Sequence, residues 1–214
     1  DFSNQNFKFG NSKKIKINNK HIWAQRLSYV GELGFELYIK MNESKEIYNL
    51  ITDKGKEFNL SNCGMLAMDT MRMESGFLHW GHDISPEENQ FDSKLSFAIS
   101  FKKNIDFIGK ESLLKIKEKK PLKIFTMLTL ENNEPGNPLM LHDEPIYLND
   151  EIIGRTTSAN YSFNFNKNLA FGYIQPDYLT EDRKNKKLFI EIEKKKYPAE
   201  IIENPLNQKK FRIS

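Results

Sequence analysis

The feature that most constrains the fold is a run of short apolar alternations after Leu122, at residues 123–130, 145–148, 152–158, 169–174, 188–192 and 197–202. Successive side chains on a strand point to opposite faces, so brief segments with one apolar face read as half-buried strands. Asn149-Asp150 stands between two of them and is a hairpin signal, because Asn and Asp tolerate the backbone that a tight turn demands. Strands this short at this spacing predict a small barrel or a jelly-roll-like sandwich.

Upstream the pattern is mixed. Lys14-Ile15-Lys16-Ile17, an Asn18-Asn19 turn, residues 21–29 and residues 35–39 read as antiparallel sheet. Residues 44–58 place Ile47, Leu50, Ile51 and Phe58 near helical spacing. A second helix is expected over 64–75, with Asn62 as its cap, Gly76 as its stop and Met65, Met68 and Met71 on its packed face. A short helix carrying Leu113, Leu114 and Ile116 follows between 109 and 120, where Pro121 ends it. The fold class is therefore α+β: an antiparallel sheet with helices over 1–120, then a small all-β barrel or jelly-roll-like domain over 121–214.

With 214 residues, 38% of them hydrophobic and 16 of them Phe, the chain is long enough to bury a core. It has no apolar run of about 18 residues, and Asp1-Phe2-Ser3-Asn4 lacks the marks of a signal peptide. The expectation is a soluble protein without a membrane partner, cytoplasmic or, in a eukaryote, in the mitochondrial matrix. The one cysteine, Cys63, can form no internal disulfide and is expected as a buried thiol rather than a nucleophile. The net charge of +3 arises from scattered lysines, and the Lys-rich stretches 115–123 and 194–196 alternate with Glu and lack interleaved aromatic residues. They read as solvated faces, not as a nucleic-acid surface. A start at Asp1 without Met suggests a piece of a longer polypeptide.

Candidate chemistry gathers in three places. Gly31 and Gly34 bracket Glu32 and Leu33 between strand-like runs, so a tight turn presents the Glu32 carboxylate at a strand end. That carboxylate either accepts paired donors from a ligand or is an ordinary solvated hairpin glutamate. Glu36, in the following strand, is expected to support the structure. Arg72 has a planar fork suited to a carboxylate or a carbonyl-rich ring, although Asp69 or Glu74 nearby offers it a purely structural partner. His79, Trp80, His82 and Asp83 crowd together after the helix. No further ligand stands at a supporting distance, so a buried Trp80 with hydrogen-bonded histidines beside a pocket is favoured over a metal site. Dinucleotide fingerprint, phosphate loop and nucleophile elbow are all absent.

SYVGELGFELY at 28–38, AMDTMRMESGFLHWGHDIS at 67–85 and IDFIGKESL at 105–113 together resemble the glycine-cleavage T-protein (aminomethyltransferase) superfamily, in order and spacing. Pro145-Ile146-Tyr147, Ile153-Gly154-Arg155-Thr156-Thr157-Ser158 and Leu169-Ala170-Phe171-Gly172-Tyr173-Ile174 look like that family's C-terminal barrel. Within it, the stretch from Glu74 to Asp83 is most similar to the fused dimethylglycine and sarcosine dehydrogenases, in which a flavin-containing N-terminal half precedes a T-protein-like half. Two departures stand out. The turn before the barrel hairpin is reduced to Asp143-Glu144-Pro145, and Pro205-Leu206-Asn207-Gln208 lacks the aromatic residue often found there.

The resemblance implies tetrahydrofolate as the bound cofactor, with Glu32 on the pterin, Arg72 as a folate-contacting arginine, and Tyr29 and Trp80 as walls for the ring. It implies a one-carbon donor amine or iminium as partner and 5,10-methylene-tetrahydrofolate as product. The family's catalytic aspartate belongs to an N-terminal portion expected upstream of Asp1, as does any FAD, so no catalytic residue is assigned here and the chain alone is expected to be inactive. Two other readings stand beside this one: an aminomethyltransferase that takes its aminomethyl group from a lipoyl carrier, and a folate-binding module without catalysis.

Overall fold

The computed structural model describes residues 1–131, 134–179 and 187–208. Packing gathers the described residues into two compact units, one of residues 1–75 with 207 and 208, the other drawn from Gly76–Leu206. The segment from Gly76 to residue 120, grouped by its sequence pattern with the first part of the chain, packs with the second unit.

In the first unit β1 (Ser12–Ile17), β2 (Lys20–Gln25) and β3 (Glu36–Tyr38) form an antiparallel sheet in sequence order. The turn between the first two has Asn18 at a φ of 52°, a conformation its short polar side chain tolerates. Register pairs Lys14 with Trp23 and Trp23 with Tyr38. Alternation then turns Ile22 and Ala24 inward and leaves Trp23 and Tyr38 outward. Below the sheet's start, Phe2, Phe7 and Phe35 stack edge to face and tilted, with ring centroids 4.8–5.5 Å apart. Buried Arg26 donates from Nη1 to the Phe7 carbonyl at 2.7 Å, tying the chain's first turn to the end of β2.

Helix α1 (Met41–Gly55) runs on into a single 3-10 turn at Lys56–Phe58. Of its expected apolar face only Ile47 is fully buried, and Phe58 is exposed, because it lies in the tighter 3-10 turn, where α-helical spacing no longer holds. Helix α2 (Met65–Glu74) starts from Gly64 without a side-chain cap. Asn62, expected to cap it, donates instead to the Tyr48 hydroxyl at 2.6 Å. Met65 is exposed, and the helix buries Thr70, Arg72, Met73 and Glu74 near its C-terminal end. Cys63 is exposed rather than buried, since the whole stretch leading into α2 lies at the surface.

The second unit is a closed barrel in the order β4-β7-β6-β5-β8-β9, with β9 pairing back onto β4. Its strands are β4 (Ile124–Leu130), β5 (Pro145–Leu148), β6 (Glu151–Ser162), β7 (Lys167–Ile174), β8 (Leu188–Ile192) and β9 (Lys195–Ile202). The barrel alternative of the sequence reading is the one realised, and the hairpin at Asn149 joins β5 to β6 with a φ of 55°. Inward side chains including Leu128, Leu130, Ile146, Ile153, Ile174 and Ile190 fill the interior. Closure gives every strand of the barrel a partner on both sides over at least part of its length, which limits open edges, the usual site of mispairing. A β-bulge between Thr156 and Ser158 bends β6. At Gly154 the β7 backbone comes so close that any Cβ would collide with the Tyr173 carbonyl.

Before the barrel the chain is largely irregular. Residues 95–99, apolar by alternation, hold a 3-10 turn at Ser96–Ala98 and not a strand. Helix α3 (Lys110–Lys117) follows, and the Asp92 carbonyl accepts a bond from Phe125 N–H at 2.7 Å, fastening this segment to the start of β4. Among the described residues no helix is long and apolar enough to cross a membrane.

Candidate functional site

In the first unit the segment after β2 carries Tyr29 and Glu32, both half-buried. Gly31 has a φ of 72° and lies against Ser75, so that a Cβ here would strike the Ser75 hydroxyl. Only glycine meets both demands without strain. The Ser75 hydroxyl donates to the Val30 carbonyl at 3.3 Å, and the Asn207 side-chain amide donates to the Gly31 carbonyl at 3.4 Å and to Ser75 Oγ at 3.1 Å. Asn207 N–H in turn donates to the Glu74 carbonyl at 2.8 Å. These bonds bring the Glu32 loop against the end of the helix that carries Arg72. Neither Ser75 nor Asn207 was singled out in the sequence; the only signal was the polar tail Leu206-Asn207-Gln208 where an aromatic residue was expected.

Arg72 takes the structural partner that its sequence neighbourhood offered. Its Nε and Nη2 both reach Asp69 Oδ1 at 2.7 Å, three residues earlier on α2, and the residue is 1% exposed. A fully buried guanidinium requires such a partner, because removing the charge from water is costly. Glu36 accepts from the Tyr38 hydroxyl at 2.6 Å across one residue of β3, in keeping with a supporting role.

Trp80 lies in the other unit and is 66% exposed, not the buried wall that the sequence suggested. The reason is visible next to it: Asp83, 1% exposed, is the residue that anchors this loop. Its carboxylate accepts from Thr157 Oγ1 at 2.5 Å and from the His79 N–H at 2.9 Å, and its carbonyl accepts from the Tyr173 hydroxyl at 2.8 Å. The loop thus turns its polar anchor toward β6 and β7 and its tryptophan toward solvent. The His79 and His82 rings stack on each other 4.8 Å apart, and no group of three His, Cys, Asp or Glu among the described residues is placed to hold a metal ion.

His82 opens onto a cavity of about 500 Å³ shared with Lys123, Arg155, Tyr173 and Gln175. Both of its basic side chains are paired, Lys123 with Glu88 and Arg155 with Asp143. Burial pushes the Glu88 carboxyl up, but hydrogen bonds from Lys123 and Ser85 outweigh it and hold the group below its ordinary value. Burial, and then the nearby carboxylates of Glu88, Asp83 and Asp92, push the Tyr173 phenol up, so it remains a hydrogen-bond donor.

Residues 1–103 match the GCVT N-terminal domain, and residues 123–207 match the glycine cleavage T-protein C-terminal barrel domain. The chain is 36% identical over 209 residues to "Dimethylglycine dehydrogenase, mitochondrial" from Homo sapiens, an alignment covering 96% of this chain and 23% of that protein. It is 34% identical over 149 residues to an aminomethyltransferase from Symbiobacterium thermophilum, covering 70% of this chain and 39% of that one. In three dimensions it resembles the crystal structure of glycine cleavage system aminomethyltransferase T from Bartonella henselae, with a TM-score of 0.80 at 22% identity over 95% of this chain and 54% of the other. At that identity the likeness speaks to the fold alone. The chain spans about a quarter of the length of the human dehydrogenase it matches.

Proposed function

Because the chain belongs to the glycine cleavage T-protein family, carrying its N-terminal-domain and barrel-domain matches in that order, we propose that it is the tetrahydrofolate-binding one-carbon transfer region of a flavin-linked N-methyl amino acid dehydrogenase, yielding 5,10-methylene-tetrahydrofolate. The observation that carries the reading is the Glu32 loop, a half-buried carboxylate on a backbone pinned to the end of α2. Two acceptor atoms held in a fixed direction suit the paired N–H donors of a pterin ring. The half-buried Tyr29 on the same segment supplies a flat apolar surface for that ring.

Arg72 serves this reading through its charge near the end of α2; with Nε and Nη2 already engaged by Asp69 on the same helix, a direct contact to folate is the weaker form of its role. Trp80, being exposed, fits a ring wall less well than Tyr29 does. Tetrahydrofolate, when bound, supplies the amine that takes up the one-carbon unit from a donor amine or iminium. The residues of this chain contribute binding and orientation, and placement alone is a large share of the rate in such a bimolecular step. No proton transfer is assigned to them. Any FAD, like the general base, belongs in this reading to a separate N-terminal half, and the mitochondrial name of the human relative favours the matrix as its location.

The aminomethyltransferase relative supports a second reading, in which the donor is an aminomethyl group and no flavin takes part. Titrating tetrahydrofolate into the protein and into Glu32→Ala tests what the two readings share. A charged hydrogen bond is worth about 1.5–3 kcal/mol, so Glu32→Ala is expected to weaken binding roughly 10- to 100-fold. Equal affinity would remove Glu32 from the site. Measured on a longer polypeptide that includes the N-terminal half, methylene-tetrahydrofolate formation from dimethylglycine or sarcosine, set against formation from an aminomethylated lipoyl carrier, then separates the dehydrogenase reading from its competitor.

A further inference from the structure

The peptide unit between Gly31 and Glu32 is held at both of its polar ends. Its carbonyl accepts from the Asn207 side-chain amide at 3.4 Å, and its N–H donates to the Ser28 hydroxyl at 3.1 Å. The preceding peptide is held too, since the Val30 carbonyl accepts from Ser75 Oγ, and Asn207 reaches the same Ser75 oxygen at 3.1 Å. A planar peptide bonded at both carbonyl and amide is restrained, and with it the Cα of the next residue and the N–Cα axis about which its Cβ turns. That next residue is Glu32. Asn207 is itself seated by its own N–H on the Glu74 carbonyl at 2.8 Å, where α2 ends, so its amide is aimed and not merely nearby.

We infer that Asn207 is a positioning residue for the Glu32 carboxylate: with Ser75 it fixes the peptide that aims Glu32 at its ligand, and it touches no reacting atom. This rests on the reading of Glu32 as a folate ligand. It gives the polar C-terminal tail a task in place of the aromatic contact that the sequence lacks there. The lengths of the bonds to Val30 and Gly31 fit an aiming role better than a large share of the unit's stability, because hydrogen bonds beyond about 3.2 Å are weak individually.

The test compares tetrahydrofolate affinity in the protein, Glu32→Ala, Asn207→Leu and the double variant Glu32→Ala/Asn207→Leu, with a thermal melt of each. Leucine keeps the shape and neutrality of asparagine while removing both side-chain N–H donors. Asn207→Leu is expected to bind roughly five-fold more weakly than the parent, and to cause no further loss when Glu32 is already alanine. An equal loss in both backgrounds would mean that Asn207 acts on the fold and not through Glu32, which overturns the inference. So would parental affinity in Asn207→Leu beside a weakened Glu32→Ala, and that result leaves the folate reading standing. Parental affinity in Glu32→Ala overturns the reading and the inference together. If Asn207→Leu fails to fold, Ser75→Ala carries the same comparison, with a smaller loss expected that again vanishes without Glu32.

Discussion

The two units of this protein differ in how much apolar packing holds them. The barrel unit closes on itself around an apolar interior, with Leu128, Ile146, Ile174 and Ile190 all fully buried. Among its described residues the first unit has three strands and two α-helices, leaves Trp23, Tyr38, Met41, Phe58, Met65 and Leu66 exposed, and buries Arg26, Arg72 and Glu74 beside a smaller apolar set; the barrel unit also buries polar side chains, Asp83, Asp92 and Asn168 among them. Apolar packing is non-directional and holds a scaffold by area. Buried polar groups hold geometry by direction and are costly when a partner is lost. The barrel thus has a continuous apolar interior to hold it, and on the reading proposed above the pinned Glu32 loop of the first unit serves recognition.

The largest expected effect lies in the barrel. Leu128 is 0% exposed within that interior, and Leu128→Ala should lower the stability of that unit by about 2–5 kcal/mol through lost burial and the cavity left behind. Urea unfolding followed by near-ultraviolet circular dichroism measures it. A loss below about 1 kcal/mol would mean that the barrel does not rest on its apolar interior, and the contrast between the units would collapse.

A smaller effect separates polar from apolar anchoring inside the barrel unit. The Tyr173 phenol is raised in the folded protein, so above the unfolded value near pH 10 the unfolded chain releases this proton while the folded one keeps it. The phenol's contribution is complete below about pH 10 and is lost as pH climbs from there toward the raised folded value. The urea midpoint should therefore fall on the alkaline side, and less steeply in Tyr173→Phe, which also gives up the bond to the Asp83 carbonyl. Parallel alkaline slopes for the two proteins would show that some other group sets this limb.

The smallest effect belongs to Cys63. Exposed ahead of α2, it should react with a thiol reagent in the native protein at the rate of a free thiol, and Cys63→Ser should change stability by less than about 0.5 kcal/mol. Labelling that requires denaturant would place the thiol inside the first unit, giving that unit more apolar packing than the comparison allows it.

The barrel was legible in the sequence strand by strand because alternation and turn residues act locally: the expected strands at 145–148 and 188–192 coincide with β5 and β8. The two helices of the first unit were legible as helices, and α2 lies within its expected span of 64–75. Their buried faces were not. Periodicity marks an apolar stripe, but whether anything covers it depends on the neighbours, so Phe58 and Met65 stay in solvent while Arg72 and Glu74 go inside. At the candidate site, Glu32 and Gly31 stood out through their turn, whereas Ser75 and Asn207 carry no local mark. One is an ordinary helix end, and the other lies far along the chain.

What the sequence by itself determined is the set of elements and the identity of the family, since both reside in residue order and spacing. What only the tertiary structure decided is which side chains meet: that Asp83 and not Trp80 anchors its loop, that Arg72 closes on Asp69, and that Asn207 returns across the length of the barrel sequence to hold the Gly31 carbonyl. Burial and hydrogen bonding between residues distant in the chain are properties of the packed state, and no local pattern encodes them.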